Sequence, residues 1–469
     1  MAHACSPLPY ETATRQSLAG EGRVRVTVRE GCSTAAFPEA VRLDDLAVPR
    51  FPEPAATMFT AMAEMASSFI LEPEALMEVA AERTGLSDFG DGSFREPFDV
   101  LCTALRTEAA LSPHGVVTVW SQLVQLLKNR LLVEDLLHRH PEIHEVPVDR
   151  PIVITGLPRS GTTHLHNLLS ADPALRSLPY WEAVEPVLAD SDLPGPGEPD
   201  PRFTRSEQSL DFMNSAMPYW RRMHEMTVDH SHEEIHLLAL DFSGTLFAAM
   251  GPIPSYWEWY RATDQTRSYR YLRTLLKVLT WLRGGERWVL KAPQHLEQFG
   301  PLMRAFPDAT VVITHRDPVS IAASLTTMMA YVSRVYRDTV DLRATGRFWA
   351  DRITHQLNRA AADRDLLPPG QSTDVLFHEF MADPLGTVEG IYARAGQPFT
   401  GQARAAMSAY QADHPRGRHG DVVYSLADFN VDSDELRRDT RGYVTRFRVR
   451  EERRSDSAVR PHRLQHTHL

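Results

Sequence analysis

Ile152-Val153-Ile154-Thr155-Gly156-Leu157-Pro158-Arg159-Ser160-Gly161-Thr162-Thr163 passes from an apolar, β-branched run through a glycine-bounded loop into a helical pattern that continues to Ser170. The first four residues suit a strand buried on both faces. The two glycines keep the spacing of the phosphate-binding P-loop, GxxxxGK[ST], whose backbone N–H groups cradle phosphate oxygens at a helix N-terminus. Thr162, however, stands where that motif has its lysine. The lysine reaches the β- and γ-phosphates of a nucleoside triphosphate, so its absence argues against ATP or GTP hydrolysis. Arg159, inside the loop, supplies positive charge instead. The plainer alternative is a glycine turn joining strand and helix. The preceding strand, the paired threonines and the internal arginine favour an anion site.

Three further apolar runs follow: Trp288-Val289-Leu290, Thr310-Val311-Val312-Ile313-Thr314 and Val375-Leu376-Phe377. The first two lead straight into polar residues and then a helical stretch, and the third fits the same scheme. Strand, loop and helix in repetition predict an α/β fold with a central parallel sheet flanked by helices. Upstream, residues 55–150 carry apolar residues at three- and four-residue spacings, broken by a turn at Asp88-Phe89-Gly90-Asp91-Gly92, and predict a helical lead-in packed on the core. Residues 1–54 read as an extended arm, 151–450 as the main domain and 451–469 as a polar tail. The Pro- and Gly-rich insert from Leu193 to Pro201 reads as a mobile loop.

Composition narrows the setting. The 469 residues are 43% hydrophobic and 24% charged, ordinary for a globular chain. Three cysteines (Cys5, Cys32 and Cys102) form no CxxC pair, which argues against a disulfide framework or a zinc site and for a reducing, cytoplasmic location. Met1 to Glu30 lacks the pattern of a signal peptide, and no apolar run reaches the roughly 20 residues a membrane helix requires. A net charge of −11 argues against nucleic-acid binding, so an anionic ligand requires a local basic cluster.

One candidate is His315-Arg316-Asp317-Pro318, which follows the third strand and opens a helix carrying Ser324. Arg316 at a strand's carboxyl end and Ser324 on the next helix are placed to meet one anion. Taken alone, the segment reads better as a solvent-exposed Arg316–Asp317 pair with Ser324 as a helix filler. The P-loop-like segment without its lysine suits a single 5′-phosphate carrying a sulfuryl group. Together, residues 156–163 and the Arg316/Ser324 pair resemble the two nucleotide-binding elements of sulfotransferases that use 3′-phosphoadenosine-5′-phosphosulfate (PAPS). The strings ITGLPRSGTTHLHNLLSADPALRSLPYWEAVEP (154–186), RWVLKAPQHL (287–296), FPDATVVITHRDP (306–318) and HPRGRHGDVVYSLADFNVD (414–432) resemble the large bacterial, actinobacterial-type branch of that family. The likeness runs from about Glu72 to Glu451.

The resemblance implies the P-loop sulfotransferase fold, with PAPS as donor and adenosine 3′,5′-bisphosphate (PAP) as product. It implies donor contacts from Pro158, Arg159, Ser160, Gly161, Thr162 and Thr163 to the 5′-phosphosulfate, and from Arg316, Ser324 and the turn Arg416-Gly417-Arg418 to the 3′-phosphate. Two guanidinium forks among glycines suit a doubly charged phosphate. Lys291, leaving the second strand, would stabilise the departing phosphate oxygen. Glu182 resembles a glutamate that tyrosylprotein-type sulfotransferases place after the same loop, and reads either as general base or as partner to an arginine. His224 and His232 are the rival bases. The run from Asp229 to Glu234 has spacing too common to indicate a metal, and His295 reads as structural. Trp181, Trp220, Tyr256 and Trp257 belong to an aromatic concentration expected to wall an apolar or aromatic acceptor such as a lipid alcohol, sterol, phenol or secondary metabolite. The expected enzyme sulfates a small hydroxylated acceptor, with homodimerisation open. The alternatives are a nucleotide-binding protein without transfer, and sulfation followed by sulfate elimination.

Overall fold

A computed structural model describes residues 38–452. Cys5, Cys32, most of the expected N-terminal arm and the tail beyond residue 452 lie outside the described residues. Four parallel strands form the sheet in the order β2-β1-β3-β4: β1 (Ile152–Thr155), β2 (Val289–Lys291), β3 (Thr310–His315) and β4 (Ser372–Leu376). Ile152 sits opposite Val289 on one side and Thr310 on the other. The first three strands are buried throughout. Their alternate residues enter two different cores. Val153, Leu290, Val311 and Ile313 face one apolar cluster, whereas Ile152, Ile154, Val289 and Val312 face another. A strand covered on both faces needs apolar residues at successive positions, which explains the unalternating runs in the sequence.

Two boundaries differ from the sequence reading. Strand β2 extends to Lys291, whose backbone pairs opposite Ile154, so the lysine ends the strand instead of following it. Strand β4 begins at Ser372 and stops at Leu376; Phe377 opens a helix. As an edge strand with one face half exposed it tolerates Thr373 and Asp374, which an apolar-run search passes over.

The helices Ala55–Met65, Pro73–Thr84, Arg95–Thr107 and Pro113–Arg139 make up the lead-in. Their buried residues, among them Leu76, Phe98, Leu101, Leu123 and Leu127, join the cluster that covers one sheet face. Cys102 is fully buried there, and burial raises its thiol pKa. Residues 193–200 form neither helix nor strand, and Asp200 caps the helix that starts at Pro201. Among the described residues no helix is long and apolar enough to cross a membrane.

The chain leaves β1, returns as β2 on one side and then crosses to β3 on the other. The carboxyl end of β1 is therefore the point where connections diverge, and open α/β sheets form their ligand crevices there.

Candidate functional site

The loop 156–161 hangs from that point. Gly156 and Gly161 take positive φ (150° and 94°), and so does the non-glycine Arg159 (74°). Strain of this kind concentrates at ligand-binding loops. Ser160 fixes the loop from inside: its buried hydroxyl bonds Leu157 O (2.6 Å) and Thr314 Oγ1 (2.6 Å). The ring of Phe377 packs beneath Gly161. The helix Thr162–Ser170 that follows has Gly161 as its N-cap and no side-chain cap, so its positive end meets no carboxylate or hydroxyl of its own.

The two predicted anion segments meet. Arg316 donates to the carbonyl of Arg159 (2.8 Å), and Arg159 Nε donates to Ser324 Oγ (2.9 Å). Arg159 also donates to the carbonyl of Met223. The remaining fork of Arg316 is held by both carboxylate oxygens of Glu452 (2.6 and 2.8 Å), with the guanidinium over the Phe377 ring. Asp317 is buried, caps the helix Pro318–Val332 and pairs with Arg437 (3.4 Å), so it is no exposed partner of Arg316.

A cavity of about 830 Å³ opens beside the loop. Pro158, Arg159, Thr162 and Thr163 line it, as do Arg416, Gly417 and Arg418 from the turn expected to close over it. Arg418 is paired with Glu225, which His419 also approaches (3.0 Å). Arg416 has no ion-pair partner among the described residues. An uncapped helix start with no acidic residue in its first turn, Arg159, and Arg416 around one opening suit a phosphorylated nucleotide.

Beyond the loop the same cavity is lined by Trp220, Trp257 and Met213, and by Leu325, Met328, Met329 and Val332 of the Ser324 helix. Trp257 is stacked by the guanidinium of Arg352 (4.3 Å), which Glu297 pairs (2.5 Å). The sequence reading missed these methionines and Arg352. The signal was present, because positions 325, 328, 329 and 332 follow the three-and-four spacing of one helix face.

Glu182, Trp181 and Tyr256 lie elsewhere, and Ser160, Gly161, Lys291, Arg316 and Ser324 sit behind the lining without forming part of it. Glu182 is fully buried with both oxygens on Arg176 (2.9 and 2.8 Å) and Arg283 at 3.8 Å. It lines no part of the cavity and takes the arginine-pairing role. Trp181 is held between the guanidinium groups of Arg202 (4.5 Å) and Arg283 (4.4 Å). Tyr256 is fully buried, and its hydroxyl accepts from Gly244 N (2.9 Å). These two rings build structure behind the wall and not the wall itself.

His224 and His232 both line the cavity, accompanied by His230 and His236. His232 Nε2 is engaged with His236 Nδ1 (3.0 Å). Burial, then the charges of Lys291, His230 and Arg159, hold His224 well below the ordinary histidine range. His232 is likewise held well below that range, by burial first and then by neighbouring histidines and Lys291. Burial and Lys291 bring His230 down to about 4. The cluster is therefore neutral near pH 7, able to accept protons. Among the described residues no group of three His, Cys, Asp or Glu side chains is arranged to hold a metal ion. Lys291 is 1% exposed, and its ammonium meets the carboxylate of Glu233. His295 is buried and bonds Glu234 and Tyr269, a structural place.

Comparison with known proteins agrees with this architecture. The model of the sulfotransferase family matches residues 151–401. The chain is similar to the crystal structure of sulfotransferase STF1 from Mycobacterium tuberculosis, at 31% identity and a TM-score of 0.69, over 79% of this chain and 98% of that one. It is also similar to sulfotransferase STF9 from Mycobacterium avium, at 27% identity and a TM-score of 0.73, over 81% and 98%. No curated protein sequence was matched.

Proposed function

Because the chain belongs to the sulfotransferase family, we propose that it takes a sulfuryl group from PAPS and passes it to the hydroxyl of a small apolar or aromatic acceptor. The observation that supports this reading is a single cavity with an uncapped, cation-flanked helix start at one end and tryptophan and methionine side chains at the other. Residues 151–450 are the transferring unit in this reading, and 55–150 a lead-in that shares its core.

Bound PAPS supplies the sulfuryl group: a bond forms from the acceptor oxygen to sulfur as the bond from sulfur to the phosphate oxygen breaks, which leaves PAP. The backbone N–H groups of Arg159, Gly161, Thr162 and Thr163 hold the 5′-phosphate, that of Ser160 being given to Leu157 O. Arg416 and Arg418 hold the 3′-phosphate from the closing turn. Ser324 and Arg316 keep Arg159 in place, since one meets its side chain and the other its carbonyl. Lys291 and Arg159 offset charge that develops on the leaving oxygen and the sulfuryl oxygens. Trp220, Trp257 and the methionine stripe exclude water and receive the acceptor's apolar body.

His224 takes the acceptor's proton. It is preferred to His232 because it follows Met223, the residue that receives Arg159, and feels both Arg159 and Lys291. A base acts in its neutral form. With its pKa held below the ordinary value of 6.5, His224 stays competent through neutral pH and loses activity only as pH falls well below that value. The acid limb of kcat/KM is therefore expected well below the ordinary histidine value. A His224→Gln variant is expected to lose that limb together with about 10²–10⁴-fold in kcat. An unchanged limb in the variant would remove His224 from the base position.

The test of the whole reading is direct. Titration calorimetry with PAP should give a 1:1 heat of binding, and metabolite extract incubated with enzyme and PAPS should yield products heavier by one SO₃. Products lighter than their acceptors by one H₂O, with free sulfate released, would mark the eliminating variant of the chemistry. Absence of any PAP heat would end the reading.

A further inference from the structure

We infer that Glu233 is a positioning residue for Lys291, and that it forms with Glu234 a clamp of two consecutive carboxylates, one on the ammonium and one on the backbone N–H. The inference rests on the transfer chemistry proposed above. Lys291 is gripped at two points. Its ammonium meets Glu233 Oε1, and its backbone N–H donates to Glu234 Oε2 (2.8 Å). Glu234 is itself fully buried, and its other oxygen is held by His295 Nε2 (2.5 Å), whose Nδ1 meets the Tyr269 hydroxyl (2.7 Å). The clamp is thus anchored from behind by a chain of hydrogen bonds running into the core. Glu233, in contrast, lines the cavity, and its side chain remains 15% exposed. Its free oxygen faces no other cation among the described residues.

A buried ammonium without a counter-charge is costly, and a lysine carries four rotatable bonds on which it can swing toward another partner. Stabilising a leaving oxygen requires placement to within a fraction of an ångström, and a displacement of about 1 Å can cost roughly 10²-fold in rate. Glu233 answers both demands. It neutralises the ammonium and sets the direction in which it points, while Glu234 fixes the strand end that carries it. It acts through Lys291, not on the acceptor.

A double-mutant cycle tests this with kcat, acceptor KM and PAP affinity as readouts. Glu233→Gln is expected to lower kcat about 10- to 100-fold, with acceptor KM and PAP affinity within about threefold of wild type. Glu233→Asp keeps the charge and shortens the reach, and should fall between the two. In a Lys291→Met background, Glu233→Gln should change kcat by less than about twofold. An equal loss in both backgrounds would show that Glu233 works independently of Lys291, as base or as framework, and would overturn the inference. So would wild-type kcat in Glu233→Gln. If Glu233→Gln fails a thermal melt, Glu233→Asp carries the comparison, because a purely structural pair would leave its kcat at the wild-type value. Absence of PAP binding or transfer in the wild type would point instead to failure of the underlying proposal.

Discussion

Lys291→Met is expected to reduce kcat by about 10²–10³-fold, equivalent to about 3–4 kcal/mol of transition-state stabilisation, while PAP affinity weakens by less than about tenfold. The methionine keeps the unbranched, apolar stem of a side chain that is 2% exposed, so the end of β2 retains its packing. What disappears is the positive charge beside Glu233. A cation that acts chiefly on charge appearing during bond cleavage is felt in kcat more than in ground-state binding. Steady-state rates and calorimetry on the same preparation separate the two, and a thermal melt registers the carboxylate left without its partner. Retained kcat would remove Lys291 from the chemistry. A loss of PAP affinity beyond about 100-fold would make it a binding residue. A wild-type protein that binds PAP but transfers nothing would favour the nucleotide-binding alternative.

Gly156→Ala carries the second large effect, this time on folding. Its φ of 150° is one that residues with a Cβ rarely adopt, and the added methyl would lie 2.8 Å from the backbone oxygen of Thr314 and closer still to the Thr314 hydroxyl. The obstruction is the end of a central strand, which cannot move aside as a flexible side chain does. Conformational strain and overpacking together are expected to cost about 2–6 kcal/mol, read as a fall in the denaturant midpoint. Any folded fraction should bind PAP weakly, because the same shift displaces Ser160, whose hydroxyl ties the loop to Thr314. Stability within about 1 kcal/mol of wild type would mean that the loop adapts, and the strand-bound picture of the cradle would fail.

The sheet was legible because burial on both faces leaves a run of adjacent apolar residues, and 152–155, 288–290 and 310–314 are such runs. The polar start of β4 was hidden because an edge strand has lighter demands. The phosphate-binding loop was legible from glycine spacing, since backbone conformation imposes it locally. Glu182, Trp181 and Tyr256 were misplaced for one shared reason. Local sequence shows that a side chain is charged or aromatic but not which side of a packed element it occupies. Arg176 and Arg283 claim Glu182, and Arg202 with Arg283 enclose Trp181. The partner of Lys291 lies 58 positions away, beyond the reach of any spacing rule. The stripe from Leu325 to Val332 shows the spacing of one helix face, but that spacing is the same whether the face meets the core or a cavity.

The order in which β1 is flanked by β2 and β3 divides the molecule's inheritance. The cradle is suspended between β1 and β3, whereas Met213, Trp220 and Trp257 come from the long excursion that separates β1 from β2. A chimera that exchanges this excursion for that of a relative would replace the aromatic wall, but it would carry His224, Glu233 and Glu234 with it and leave the methionine stripe after β3 in place. Varying the recipient alone therefore means changing Met213, Trp220 and Trp257 one by one while His224, Glu233 and Glu234 stay as they are.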